Sequence, residues 1–282
     1  MADCSGCPSN GSCSTEKKAT CGIENNPNNK IGKIVGIMSG KGGVGKSTVT
    51  ALIANELAKK GYSVGILDAD ITGPSIPRLM GVKDAKAASD GKNIYPVINN
   101  NGIKVMSINL MMDDENEPVI WRGPILGGVV KQFYTDVIWG ELDYLLIDMP
   151  PGTGDVALTV MQSLPINGTI MVSIPQDLVS MIVSKAVNMA KKMNIPVYGV
   201  VENMSYMECP DCGKKIKFFE GEGTKEFLDG LGLDLLAELP MCKEIIDITQ
   251  NGITETSEKL DEVLEGIVSR VTKPDTRKVI HI

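Results

Sequence analysis

Eight consecutive residues of this chain, 40–47, have the types and spacing of a phosphate-binding loop, G-x-x-x-x-G-K-[ST]. In such a loop, glycines let successive backbone N–H groups point at phosphate oxygens, Lys46 neutralises the β- and γ-phosphates, and Ser47 is placed to bind Mg²⁺. A β-prone apolar run precedes the loop and a helical pattern follows it, which argues against a glycine-rich turn that binds no nucleotide. The predicted nucleotide-binding residues are Gly40, Lys41, Gly42, Gly43, Val44, Gly45, Lys46, Ser47 and Thr48.

The loop also carries a second lysine, Lys41, one place after its first glycine. This addition narrows the prediction from nucleotide binding in general to the dimerising ATPases with a deviant, two-lysine Walker A loop. We therefore expect both Lys41 and Lys46 to take part in ATP hydrolysis.

Carboxylates follow two of the predicted buried strands. Asp70 comes after the second strand and is our candidate to position or deprotonate the attacking water, because phosphoryl transfer depends mainly on placement and electrostatics. The alternative for Asp70 is a helix cap or turn residue. Asp148 follows the fourth buried strand and is suited to hold Mg²⁺ together with Ser47.

Two amides are predicted at the same edge of the sheet, Gln176 and Asn203. An amide offers the donor and acceptor that N6 and N7 of adenine require, and Asn203 is the stronger candidate. As an alternative, each amide caps a turn.

Apolar runs that read as buried strands alternate with helical segments from residue 31 onward. This alternation predicts an α/β fold with a doubly wound, mostly parallel sheet, whose ligand site lies at the carboxyl ends of the strands. Residues 1–30 have few large apolar side chains and are predicted to be a flexible cysteine-containing arm. Residues 31–282 form the predicted P-loop ATPase domain, with an inserted C-x-x-C segment near residues 204–220. One of its strands is predicted over residues 197–201.

Cys209 and Cys212 form the C-x-x-C turn, which supplies two thiolates, half of a tetrahedral zinc site or of a [4Fe–4S] site. The spacing leaves zinc and iron–sulfur equally open. The other two ligands come from a second copy of the chain or from the amino-terminal arm. The arm holds four cysteines of its own, a candidate second cluster site: Cys4, Cys7, Cys13 and Cys21. Cys242 has no neighbouring cysteine in sequence and is predicted to be a small core residue.

The composition narrows the function classes. A net charge of −7 without a long basic run argues against binding to nucleic acid or to anionic lipid. No apolar stretch approaches the roughly 20 residues of a membrane span, and the first residues are polar, so we expect a cytoplasmic protein. In a reducing compartment, seven cysteines favour metal binding over disulfides.

Taken together, five segments resemble the Mrp/ApbC family, the scaffold or carrier ATPases of iron–sulfur cluster assembly. They are residues 40–47, 68–75, 139–155, 202–205 and 209–212. The resemblance covers about residues 31–270.

The resemblance implies a homodimer that binds a labile [4Fe–4S] cluster between the two copies of Cys209 and Cys212. Such a protein hydrolyses ATP slowly and transfers the cluster to apo iron–sulfur proteins, and a related ATPase is a candidate partner. The resemblance also implies that Lys41 reaches the nucleotide of the partner subunit. Cys4, Cys7 and Cys13 match part of the cluster-binding pattern in the eukaryotic cytosolic branch, whereas Cys21 is additional.

Two other functions share parts of this pattern. A positioning ATPase of the partition or cell-division type has the same second lysine but usually also needs an amphipathic or basic surface. An ATP-dependent, electron-donating reductase also bridges a cluster across a dimer, but it holds that cluster firmly.

Overall fold

The structure, a computed structural model, describes residues 26–71, 73–112, 123–178, 181–217 and 224–274. Its strands are β1 (Lys30–Ser39), β2 (Val64–Asp68), β3 (Ala88–Ser89), β4 (Ile94–Tyr95), β5 (Val97–Ile98), β6 (Lys104–Met106), β7 (Glu141–Asp148), β8 (Gly168–Ser173), β9 (Val197–Glu208), β10 (Lys215–Ile216) and β11 (Leu235–Pro240). Its helices are α1 (Lys46–Lys59), α2 (Ile76–Leu79), α3 (Gly123–Thr135), α4 (Asp155–Ser163), α5 (Pro175–Leu178), α6 (Met181–Lys192), α7 (Thr224–Leu231), α8 (Lys243–Asn251) and α9 (Glu258–Thr272), with a 3₁₀ turn at Ile108–Leu110.

Nine of these strands form one sheet in the order β10-β9-β8-β1-β7-β2-β6-β5, with β11 also paired to β9. Every pairing between β1, β2, β6, β7, β8, β9 and β11 is parallel. The short strands β5 and β10 pair antiparallel to their neighbours, and β3 and β4 make a separate hairpin. The predicted doubly wound, mostly parallel α/β fold is confirmed.

Apolar side chains cover the sheet on both faces. Alternate residues of β1 enter different cores, because Val35 and Ile37 pack with α1 and α9 whereas Ile34 and Met38 pack with α3 and α6. Because both faces of the sheet are covered, ligands can reach it only at the ends of its strands. The carboxyl ends of β1, β7 and β2 are adjacent and form one such edge.

Strand β9 differs from its prediction. The predicted strand ends at Val201, whereas the observed strand continues to Glu208. The extension is held by partners distant in sequence, because Pro240 of β11 pairs with Tyr206 and Lys215 of β10 pairs with Glu208. As a result, one strand runs from the edge of the phosphate loop to the cysteine turn.

Among the described helices, none is both long enough and apolar enough to cross a membrane.

Candidate functional site

The phosphate loop connects β1 to α1 and depends on glycine conformation. Gly43 and Gly45 have φ values of 80° and 81°, in the left-handed region that side chains disfavour. A Cβ on Gly45 would also lie 2.2 Å from Asn203 Nδ2. Any other residue at position 45 would therefore have a disfavoured backbone conformation and would also clash with Asn203. Gly45 directly precedes the first residue of α1.

Lys46, Ser47 and Asp148 form the centre of the site. Lys46 Nζ lies 2.8 Å from Asp148 Oδ1, and Ser47 Oγ donates to Asp148 Oδ2 at 2.6 Å. The carboxylate of Asp148 is fully buried, and Lys46 is 6% exposed. Burial strengthens this ion pair because water does not screen it. The hydroxyl and carboxylate oxygens are ligands that suit Mg²⁺.

Thr50 belongs to this network and was missed from the sequence. Its hydroxyl lies 3.0 Å from Asp148 Oδ1 and also 3.0 Å from the backbone oxygen of Lys46. The available signal was helical spacing, because a residue four positions after Lys46 lies on the same face of α1.

Asp70 and Asp68 approach the same lysine from β2. Asp70 Oδ2 lies 3.8 Å from Lys46 Nζ, and its side chain is 14% exposed. Asp68 is buried and accepts hydrogen bonds from the backbone N–H of Asp70 at 3.2 Å and from Ser107 Oγ at 3.1 Å. Burial and the nearby charge of Asp148 raise the pKa of Asp68 well above its usual range. Asp68, to which the sequence assigned no role, therefore fixes the backbone that carries Asp70.

A cavity of about 320 Å³ opens above the loop. Both lysines and Asp70 line it, together with Ser75 and Arg78 from the segment after β2. The remaining lining residues are Ser39, Gly42, Gly43, Gly45, Ser47, Thr48, Gly73, Leu79, Pro151 and Thr249. Seven of the nine predicted loop residues thus line one cavity, whereas Gly40 and Val44 do not. Asp148, Asn203 and Gln176 are also not among its lining residues, and Gln176 is exposed on α5.

Asn203 contacts the phosphate loop directly. Its Nδ2 donates to the backbone oxygen of Val44 at 2.9 Å, and the residue is 3% exposed. The next residue, Met204, has φ of 55°, one of two positive values among the described non-glycine residues. In this structure Asn203 ties β9 to the loop, and its contact with adenine stays a prediction.

Glu202 and Glu238 are neighbours on β9 and β11. Glu202 is buried and accepts a hydrogen bond from Ser205 Oγ, while Lys217 forms an ion pair with Glu238. Burial raises the pKa of Glu202; the Ser205 hydrogen bond opposes this and the adjacent Glu238 charge adds to it. A protonated Glu202 can donate to Glu238, so the neutral form fits this position better.

We expect Glu202→Gln to stabilise the protein at neutral pH. The folded-state pKa lies above the unfolded value, so the wild type loses stability as pH rises from the unfolded to the folded pKa. Glutamine keeps the donor and acceptor but removes the ionisation. Thermal unfolding should show a gain of roughly 2–3 °C at pH 8 that shrinks toward pH 4.5. A gain of the same size at both pH values would contradict this assignment.

The C-x-x-C turn follows β9 immediately. The N–H of Cys209 donates to the oxygen of Lys214 at 3.0 Å, and the N–H of Gly213 donates back to the oxygen of Cys209 at 2.8 Å. Hydrogen bonds from the backbone N–H groups of Cys212 and Asp211, with the Cys212 thiol, lower the pKa of the Cys209 thiol. This favours the thiolate, which is the form that binds metal.

One copy of the chain supplies only part of a metal site within the described ranges. There, no group of three or more cysteine, histidine or acidic residues is placed to hold a metal ion. Cys209 is partly exposed and Cys212 is exposed. Both residues can therefore share a metal with ligands from a second copy of the chain or from the amino-terminal arm. Cys242, predicted to be a small core residue, packs against the core beside α8 but is only partly buried. The amino-terminal cysteines lie outside the described residues.

The fold and this site define a P-loop NTPase: a glycine loop between the central parallel strand and a helix, with Lys46 and Ser47 facing the carboxylate of Asp148. The chain belongs to the family described as NUBPL iron-transfer P-loop NTPase, whose model matches residues 30–273. This match confirms the resemblance inferred from the motifs.

Relatives extend over nearly the whole chain. The iron-sulfur cluster carrier protein of Clostridium perfringens is 52% identical over 259 residues, 89% of this chain and 90% of the relative. That of Methanocaldococcus jannaschii is 42% identical over 285 residues, 96% of this chain and 98% of the relative.

Solved structures show the same fold. The nucleotide-binding protein of Archaeoglobus fulgidus, solved in complex with ADP, is 44% identical with a TM-score of 0.70, covering 78% of this chain and 86% of its own. The cell division ATPase MinD of Pyrococcus furiosus, at 22% identity and a TM-score of 0.61, covers 85% of this chain and 98% of its own. The likeness to MinD concerns the fold alone.

Proposed function

We propose that this protein is an ATP-hydrolysing iron–sulfur cluster carrier. It assembles a labile [4Fe–4S] cluster between the Cys209 and Cys212 pairs of two copies and transfers it to apo iron–sulfur proteins. The observation that carries the proposal is the pair of accessible thiols at the end of β9, a strand that is also hydrogen-bonded to the phosphate loop. The carrier names of the relatives support the same function.

The nucleotide half of the function rests on the buried centre of the site. Ser47 and Asp148 would hold Mg²⁺, which neutralises phosphate charge when bound. Lys46 exchanges Asp148 for the β- and γ-phosphates, and Asp70, 3.8 Å from Lys46 Nζ, orients the attacking water. Lys41 reaches the nucleotide of the partner subunit, while Asn203, with Gln176 as a second amide, contacts adenine.

The cluster is the cargo of this reaction rather than a resident cofactor. A [4Fe–4S] cluster takes four thiolates, and each copy offers two at this turn, so a homodimer completes the site. Slow hydrolysis suits a carrier because the dimer must last long enough to load its cargo. Thiolate ligands need a reducing compartment, from which we infer a cytoplasmic location. The arm, residues 1–30, is a candidate site for a second cluster through Cys4, Cys7, Cys13 and Cys21.

A transfer assay tests the whole proposal. The wild-type protein is reconstituted anaerobically with iron and sulfide, its iron, zinc and sulfide are quantified, and it is mixed with an apo ferredoxin as recipient. We expect about four iron and four sulfide per dimer at this turn, beyond any bound by the arm, and transfer within minutes with Mg-ATP present. The carrier function would be contradicted if a monomer of the protein binds zinc tightly. It would also be contradicted if the cluster stays bound to this protein while the apo ferredoxin receives none.

A further inference from the structure

Arg78 is a third cation on the wall of the nucleotide cavity. We propose that its guanidinium binds the terminal phosphate of ATP and so makes the site discriminate between nucleoside triphosphate and diphosphate. The inference rests on the nucleotide-binding part of the proposed function and adds a specificity residue to it.

The charges around the cavity support this assignment. Of the residues that line it, Lys41, Lys46 and Arg78 are cationic, and Asp70 is the one carboxylate. Lys46 is already paired with the buried Asp148 at 2.8 Å, and Asp70 lies 3.8 Å away on its other side. Even when Lys46 turns to the phosphates, these two carboxylates stay at the site and offset part of its positive charge, so a triphosphate needs further positive charge to balance its own.

The position of Arg78 points to the far end of the phosphate chain. The glycine loop and the start of α1 form one wall of the cavity, whereas Asp70, Ser75 and Arg78 come from the segment after β2. Asp70 is the residue proposed to orient the water that attacks the γ-phosphate. A cation from this same segment is therefore placed for the γ-phosphate rather than for the α- and β-phosphates held by the loop.

Helix α2 is held in place by its surroundings, so the backbone that carries Arg78 has a fixed position. Ile76, Pro77 and Leu79 are buried, whereas Arg78 is exposed. The oxygen of Leu79 accepts a hydrogen bond from the N–H of Ile253 at 2.7 Å.

The buried Asp68 connects helix α2 to the backbone of Asp70. One of its oxygens accepts from the N–H of Ile76 at 3.4 Å, and the other accepts from the N–H of Asp70 at 3.2 Å. One buried carboxylate thus sets the positions of both Asp70 and the helix that carries Arg78.

Guanidinium chemistry suits the proposed contact. Its planar fork donates two parallel hydrogen bonds to phosphate oxygens, which a lysine ammonium does not reproduce. The contact is available to ATP and absent from ADP, so it contributes to the affinity for one nucleotide and not for the other.

The test compares Arg78→Gln and Arg78→Lys with the wild type by calorimetric titration of ADP and of the non-hydrolysable analogue AMPPNP, both with Mg²⁺. We expect Arg78→Gln to weaken AMPPNP binding roughly 10- to 100-fold, the range for one lost charge-assisted contact, and ADP binding less than about twofold. Arg78→Lys should recover part of the loss. Lys83→Gln is the matched control, because it removes an exposed cation that does not line the cavity.

Equal weakening of AMPPNP and ADP would overturn the proposal, since it would indicate a structural role for Arg78. Unchanged AMPPNP affinity would also overturn it. In either case, nucleotide binding through Lys46 and cluster transfer are measured separately, so failure here is distinguishable from failure of the carrier function.

Discussion

Replacing Cys209 and Cys212 together with alanine will remove the bridging cluster, leaving less than about a tenth of the wild-type iron and sulfide at this site. The reason is ligand number: each copy contributes two thiolates, so the double variant deprives the dimer of all four. Nucleotide binding should persist, because the turn lies outside the phosphate cavity. The measurement is iron and acid-labile sulfide after anaerobic reconstitution, with nucleotide affinity determined on the same preparation.

The matched control for this experiment is Cys242→Ala. Cys242 is partly buried against the core and approaches the size of alanine, so the variant should fold and load metal like the wild type. Because the amino-terminal cysteines are a proposed second cluster site, both proteins are also measured after removal of residues 1–25. Full metal content in the truncated double variant would refute a cluster at this turn.

Lys46→Met will lower kcat/KM for ATP hydrolysis by at least about 100-fold, because the phosphates lose the cation that faces them in the loop. The variant will also be less stable without nucleotide. Removing Lys46 leaves the fully buried Asp148 without its partner at 2.8 Å and beside the buried Asp68. Breaking such a pair costs about 3–5 kcal/mol. Chemical denaturation of the nucleotide-free protein measures this loss.

A second substitution separates the two effects of Lys46. In Lys46→Met with Asp148→Asn, the unpaired charge is gone, so most of the stability should return while hydrolysis stays absent. If the single variant is as stable as the wild type, the ion pair does not contribute as described. If Lys46→Met hydrolyses ATP at the wild-type rate, Lys46 has no role in catalysis.

The sequence features that predict the phosphate loop and the carboxylates at the strand ends are encoded locally. The loop from Gly40 to Thr48 and the carboxylates Asp70 and Asp148 follow apolar runs, and a short window is enough to recognise them. The hydrogen bond from Asn203 to Val44 joins residues 159 positions apart, and no local sequence pattern predicts it. The extension of β9 likewise depends on β10 and β11.

Burial also determines roles that residue type leaves open. Asp68 and Asp70 are equivalent in sequence, yet one is enclosed and holds backbone N–H groups while the other reaches the cavity. Arg78 lies on a helix of only four residues, too short to produce a periodic pattern. Its place at the cavity follows from the packing of α2 against the segment after α8.

Strand β9 has a thermodynamic consequence for the two ligands of this protein. Cys209 lies six positions after Asn203, a distance of about 20 Å along an extended strand whose length is nearly fixed. Any displacement of the Val44 carbonyl on nucleotide binding would therefore be passed along the strand toward the thiols or absorbed at Met204, where the backbone departs from extended geometry. Any such linkage acts in both directions: the factor by which ATP changes affinity for the cargo equals the factor by which the cargo changes affinity for ATP.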